Sequence, residues 1–246
     1  GHIEGAVNVP RVDILTHVQG INAASYEKIV VICYSGQSAA FATAMLRLSG
    51  YDNVFSMKYG MTSWNPIFDK ISTKVSNQYA GDFIKDASPA KNAMGDLPTL
   101  TTGKTTGQEV LDARIAEVLA ADFGAIATSA TAVMADPSSF YIINYWKESH
   151  YTGIGHMPGA IQYSPKPEYD LKSDTFLKTL PTDKTIVIYC YTGQTSANVA
   201  GILKVMGYDA KTLSGGTYGM ISELVAAGGG TYFNPGTDIH DYPYVQ

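Results

Sequence analysis

Apolar positions along the chain fall into two sets of short β-branched runs, each followed by a polar loop and a stripe at helical spacing. Ile29 to Ile32 predicts a buried strand. Beyond the loop that follows, Ala40, Phe41, Ala44, Met45 and Leu48 share one face of a helix over 38–49, with Gly50 as its stop. Val54-Phe55 reads as a second short strand, and Gly60 opens a helix reaching about Asp69. Residues 1–10 read as a loop and a short strand entry ending at Pro10. Further on, Leu111, Ile115, Val118 and Leu119 form a stripe closed by Gly124, a helix expected to pack between domains. Thr128 to Met134 predicts a short helix, and Phe140 to Ile143 a strand. Strands alternating with helices imply parallel α/β sheets.

The pattern occurs twice. Cys33-Tyr34-Ser35-Gly36-Gln37-Ser38, after the run Ile29 to Ile32, returns as Cys190-Tyr191-Thr192-Gly193-Gln194-Thr195, after Ile186 to Tyr189. Gly1-His2-Ile3-Glu4-Gly5-Ala6-Val7 matches Gly155-His156-Met157-Pro158-Gly159-Ala160-Ile161. Gly50-Tyr51-Asp52 matches Gly207-Tyr208-Asp209, and Tyr59-Gly60-Met61 matches Tyr218-Gly219-Met220. Two copies at so long a period indicate a duplicated domain. The expected division is a first domain over 1–70, a linker and connecting helix over 71–125, and a second domain over 126–246. The second copy begins with ~25 residues that have no counterpart in the first, and these are expected upstream of Gly1. Without them the first domain lacks its central strand, at a cost of ~1–3 kcal/mol per orphaned ladder group.

Composition narrows the function classes. A net charge of −5 over 246 residues offers no basic surface for nucleic acid. No apolar run approaches the ~18 residues of a membrane span. Two cysteines are too few for a disulfide scaffold. Only 16% of residues are charged, and the excess of small polar and Tyr residues leans toward a bacterial periplasmic or envelope protein, with the cytoplasm left open. Gly103-Lys104-Thr105 is not a phosphate loop, because Pro98 stands where its first glycine belongs.

The two cysteines carry the chemistry. Each ends a buried strand and begins a turn into a helix, so several backbone N–H groups and the positive helix end converge on its sulfur. Such a place favours thiolate over thiol, and equally suits a negatively charged persulfide sulfur. Gly36 and Gly193 permit the tight turn. Ser38 and Thr195 carry hydroxyls for the bound sulfur, and Tyr34 and Tyr191 are placed to wall the pocket. A single cysteine in such a place reads as a small buried hydrophobe. Two at duplicate positions read as a site.

The pattern G-H-I-x-G-A-V, a buried strand, and a C-x-x-G-x-[ST] loop leading into a helix resembles the rhodanese (sulfurtransferase) family in its tandem form. The likeness covers most of the chain except about 70–125. It implies two parallel sheets of about five strands, each flanked by helices, the first truncated at its N-terminus. It also implies transfer of a sulfane sulfur from a donor (thiosulfate, polysulfide or persulfide) to a thiol or cyanide acceptor through a cysteine persulfide. Carried over by position, Cys190 and Cys33 are the nucleophiles. The substrate-binding loops are then Tyr191, Thr192, Gly193, Gln194, Thr195 and Ser196, and Tyr34, Ser35, Gly36, Gln37 and Ser38. No metal or organic cofactor is implied. Many family members with thiosulfate activity carry Arg or Lys in this loop; here the loops are neutral, so an anionic donor loses charge-assisted hydrogen bonds of ~1.5–3 kcal/mol each. The family's Asp-x-Arg reads Asn144-Tyr145-Trp146.

The alternative is a non-catalytic rhodanese-like binding or sulfide-sensing module, which the neutral loops favour and the two retained cysteines oppose. A cysteine phosphatase needs an arginine six residues after the cysteine, where this chain has Ala39 and Ser196. His2 and His156 are expected to pin the Gly-His turn by bonding backbone. Trp64 and Trp146 are expected as core or rim aromatics, and the Tyr232-Phe233 and Tyr242-Pro243-Tyr244 cluster as a tail packed across a domain surface.

Overall fold

The computed structural model describes residues 1–246. Its larger sheet has five parallel strands: β3 (Ala127–Thr128), β4 (Tyr141–Asn144), β5 (Ile161–Gln162), β6 (Ile186–Tyr189) and β7 (Ala210–Leu213), in the order β3-β7-β6-β4-β5. Every residue of β4 and β6 is buried, as strands covered by helices on both faces require. Alternation along them feeds two cores. Ile142, Val187 and Tyr189 point to one face, with Trp146, Met220 and Val225. Tyr141, Ile143, Ile186 and Ile188 point to the other, with Leu203 and Tyr208. The first face is closed by α6 (Glu148–Ile154) and α8 (Tyr218–Ala227), the second by α7 (Gln194–Val205). The short α5 (Ala130–Ala135) is capped by Ser129, whose hydroxyl accepts from Ala132 N. Thr128, expected in that helix, lies in β3.

The first sheet has two parallel strands, β1 (Ile29–Val31) and β2 (Val54–Ser56), with Ile29 opposite Val54. β1 is not the fully buried strand its composition suggests. It pairs on one side only, and Val30 is 47% exposed. Residues 14–20, read within no element, form helix α1 (Ile14–Gly20), which packs Val18 against Leu46 and Val54. Helix α2 (Gln37–Leu48) starts where the loop predicts. By contrast α3 (Met61–Trp64) stops well short of Asp69, because Asn65 precedes a proline and is extended. No strand forms over 1–10; His2 instead makes an isolated antiparallel bridge to Val245. No helix is long and apolar enough to cross a membrane.

The two sheets meet through α2 and α7, whose apolar faces interlock. Phe41, Ala44 and Met45 pack with Ala197 and Val205, and Gly201 leaves room for the Phe41 ring, 2.9 Å from where a Cβ would stand. The connecting helix α4 (Gly107–Ala120) adds Ile115, Val118 and Leu119 to this core. It opens on a capping box between Thr106 and Glu109. From α4, Arg114 donates to the carbonyls of Lys204 (2.5 Å) and Val205 (3.1 Å) at the end of α7, where a cation suits the helix dipole.

Two further segments tie the units together. Residues 76–84 run along the second unit, with Ile84 and His156 exchanging two backbone bonds. The chain end returns to the first unit. Trp64 donates to the Pro243 carbonyl at 2.8 Å, the Tyr242 ring lies tilted against Trp64 at 4.9 Å, and Tyr244 meets Phe68 edge to face. A last short helix, α9 (Pro235–Asp238), precedes that return. Because Phe41 is wholly buried at the α2–α7 contact, Phe41→Ala is expected to cost about 3–5 kcal/mol in urea unfolding, with both sheets losing stability in one transition.

Candidate active site

Each cysteine stands one or two residues past the end of a sheet strand, followed by a glycine in the left-handed region at the N-cap of the next helix: Gly36 at φ 84° and Gly193 at φ 77°. The turns therefore need glycine at these points. In the first loop, Cys33 Sγ accepts from Gly36 N at 3.1 Å and Ala39 N at 3.4 Å. In the second, Cys190 Sγ accepts from Ser196 N at 3.4 Å, and the Ser196 hydroxyl lies 3.5 Å away. The backbone N–H six residues after the cysteine thus reaches the sulfur in both loops. Backing each loop is a second tight turn. A Cβ at Gly60 would fall on the Cys33 carbonyl, and one at Gly216 on Gly193 N and the Cys190 carbonyl.

The backing turns also correct one detail of the repeat. Thr62 N donates to the Tyr34 carbonyl at 2.9 Å, and Thr217 N to the Tyr191 carbonyl at 3.0 Å. Gly60 and Gly216, whose N–H groups each bond the carbonyl three residues back at 3.1 Å, are therefore the equivalent positions, and the Tyr-Gly-Met match at 59–61 and 218–220 is out of structural register.

Surroundings differ sharply. Cys190 is 3% exposed and belongs to the core of its sheet. Cys33 is half-buried and, with Tyr34, lines an open apolar cleft of about 780 Å³ beside the unpaired edge of β1. Tyr34 is exposed, with the Lys70 ammonium 5.9 Å from its ring. Tyr191 stacks on Trp146 at 4.6 Å, and its hydroxyl meets His150 Nδ1 at 2.5 Å. Burial, then the charge of Cys190, push the Tyr191 phenol up. Burial, Asp238 and then Cys190 do the same to Tyr59, which reaches over from the first unit. Both phenols stay protonated and can only donate or accept as neutral groups. The Tyr191 hydroxyl and His150 Nδ1 share one hydrogen bond whose direction follows the imidazole tautomer.

Several loop residues sit differently from what their type suggests. Thr195 is exposed, and the hydroxyl beside the Cys190 sulfur belongs to Ser196. Gln37 and Gln194 turn toward the opposite loop. The space a Cβ would take at Gly193 holds the Gln37 amide, and at Gly36 the Gln194 amide. Gln37 is buried and makes three bonds there; Gln194 Oε1 accepts from Tyr59 N at 3.4 Å. Tyr59, His150 and Thr212 had no signal in the local pattern, since each arrives from a distant part of the chain. His156 does pin its turn: its Nδ1 bonds the Tyr151 carbonyl at 3.2 Å, while its ring stacks on Tyr151. His2 is exposed. Trp146 is a buried core aromatic, and Asn144 holds Tyr189 through Nδ2 at 2.8 Å.

A parallel α/β sheet with a cysteine between a strand end and a helix start defines a class of loop-based anion and sulfur sites. The sequence profile of the rhodanese-like domain family matches residues 1–66 and 128–223. This chain belongs to the rhodanese-like domain family, with two segments of that domain. Among curated proteins it is similar to a thiosulfate sulfurtransferase, GlpE, of Shewanella oneidensis. The identity is 37% over 65 residues, covering 26% of this chain and 62% of that protein. The match thus spans less than two thirds of that relative's length.

Burial lowers the affinity of both His150 and His156 for a proton below the ordinary 6.5. The unfolded chain then binds more protons than the folded one between those lowered values and 6.5, so stability rises with pH there. Their contribution should be complete above about 6.5 and fall away as pH drops through the lowered values. Thermal melts across pH 5–8 on the parent and His156→Gln check this; the variant should show a shallower acid loss.

Proposed function

We propose that the protein is a sulfurtransferase that carries a sulfane sulfur on cysteine. The observation that supports this most is the pair of matching strand–Cys–loop–helix sites, each aiming a backbone N–H from six residues on at the sulfur. The thiolate of Cys190 attacks the outer sulfur of a donor R–S–S⁻. A Cys–S–S bond forms, and the donor's S–S bond breaks to release R–S⁻, or sulfite when the donor is thiosulfate. An acceptor nucleophile, a thiolate or cyanide, then attacks the outer sulfur and takes it, returning the thiolate. The loop N–H groups and the Ser196 hydroxyl hold the negative charge of thiolate and persulfide in turn. Cys33 repeats this arrangement with Ala39 where the second loop has Ser196, so its two donors are the backbone N–H groups of Gly36 and Ala39, with no hydroxyl beside the sulfur.

No Lys or Arg stands in either loop, which favours a persulfide or polysulfide over the dianion thiosulfate as donor. Steady-state turnover to cyanide checks both points. Ping-pong kinetics are expected. kcat/KM should be at least about tenfold higher with glutathione persulfide than with thiosulfate, the loss of one to two charge-assisted bonds. Cys190→Ser should remove most turnover. A binding module would show no turnover with either donor.

A further inference from the structure

The second cysteine loop is joined to the first unit by a chain of buried hydrogen bonds. Gln37, Ser196 and Thr212 are 7%, 0% and 0% exposed. Gln37 Nε2 donates to the Leu213 carbonyl at 2.8 Å and to Thr212 Oγ1 at 3.1 Å, while its Oε1 accepts from Gly215 N at 3.0 Å. A backbone carbonyl on one side and a backbone N–H on the other permit only this orientation of the amide. Thr212 Oγ1 lies 2.8 Å from Ser196 Oγ, which lies 3.5 Å from Cys190 Sγ.

We infer that Gln37 and Thr212 are positioning residues for Cys190. They set the direction of a hydroxyl relay so that Ser196 can donate to its sulfur. The inference rests on Cys190 being the nucleophile. With Gln37 donating to both Thr212 Oγ1 and the Leu213 carbonyl, the Thr212 proton goes to Ser196 Oγ at 2.8 Å, the nearest of its acceptors, ahead of the Gly193 and Leu213 carbonyls at 3.4 and 3.5 Å. Ser196 then has its proton free for one of two acceptors, the Gly193 carbonyl at 3.2 Å or Cys190 Sγ. With a neutral thiol, Cys190 donates to Ser196 and Ser196 donates to Gly193. With a thiolate or persulfide, the ionised sulfur is the stronger acceptor, and one hydroxyl rotation turns Ser196 toward it. Without the Gln37 donor, Thr212 can turn its proton to the Leu213 or Gly193 carbonyl and accept from Ser196, leaving the sulfur with the Ser196 N–H alone. The relay has no counterpart at Cys33, where Ala39 occupies the place of Ser196. The relay therefore runs from the first unit to the cysteine of the second, while Gln194, crossing the other way, reaches Tyr59 N and not the Cys33 sulfur.

The test is alkylation by iodoacetamide at neutral pH with no sulfur donor present. Modification at Cys190 and Cys33 is followed separately by peptide mass spectrometry on the full chain, for the parent, Thr212→Val, Thr212→Ser, Gln37→Leu and the double variant Gln37→Leu with Thr212→Val. Val keeps the shape of Thr and removes the hydroxyl; Ser keeps the hydroxyl and removes the methyl. The relay predicts that Gln37→Leu slows alkylation of Cys190 about fivefold, the worth of one hydrogen bond. Thr212→Val, which removes the acceptor to which Ser196 could turn, leaves Cys190 within about twofold of the parent and restores that rate when added to Gln37→Leu. Thr212→Ser should stay within about twofold of the parent, and Cys33 should keep its rate in both Thr212 variants. A purely packing role predicts no such rescue, since the second substitution loosens the loop further. An unchanged Cys190 rate in Gln37→Leu, or a slowed rate that Thr212→Val does not restore, overturns the inference. Since no sulfur is transferred, that failure leaves the sulfurtransferase reading untouched, and absence of turnover leaves the relay untouched.

Discussion

The packing of α2 on α7 is the constraint from which the rest of the molecule follows. Each helix begins at the glycine of a cysteine loop, so bringing the helices together brings the loops together. At this contact Gln37 fills the space beside Gly193, and Gln194 the space beside Gly36. Neither glycine has room for a side chain, for two reasons at once: its own left-handed backbone, and the amide of the other unit. The interlocked core around Phe41, Met45 and Ala197, sealed by α4, holds this arrangement in place.

The duplication is symmetric in backbone and asymmetric in chemistry. The second unit carries its cysteine inside a five-stranded sheet, beneath Tyr191 and Trp146, with a hydroxyl beside the sulfur. The first holds its cysteine on a two-stranded sheet, half-buried and open to an apolar cleft, with a methyl group at the matching place. Burial strengthens each hydrogen bond at Cys190 and keeps water from its sulfur; Cys33 is open to larger partners. Two sites of one ancestry thus present two environments for the same atom.

Local patterns made the loops, both following helices and the α/β class legible, because each rests on contacts within a dozen residues. The cysteine, the left-handed glycine and the helical stripe after it all belong to one turn. What lay outside that reach was the destination of side chains that cross between units. Nothing near Gln37 distinguishes a residue facing its own sulfur from one that bonds Thr212 and Gly215. Thr195 and Ser196 both carry hydroxyls, and only the phase of α7 decides which one faces Cys190. Helix α1 was illegible because seven residues with a single buried side chain give too weak a stripe. The half-exposure of β1 was hidden for another reason: an apolar run reports what a strand is made of, and the pairing of its edges is a property of the sheet.

Intact mass after brief exposure to glutathione persulfide, followed by removal of excess donor, tests the central claim most directly. The parent and Cys33→Ser should each gain one sulfur at Cys190 that an added thiol or cyanide removes. Cys190→Ser should lose that stable increment. Absence of added sulfur in the parent, with both cysteines still open to alkylation, would contradict the account.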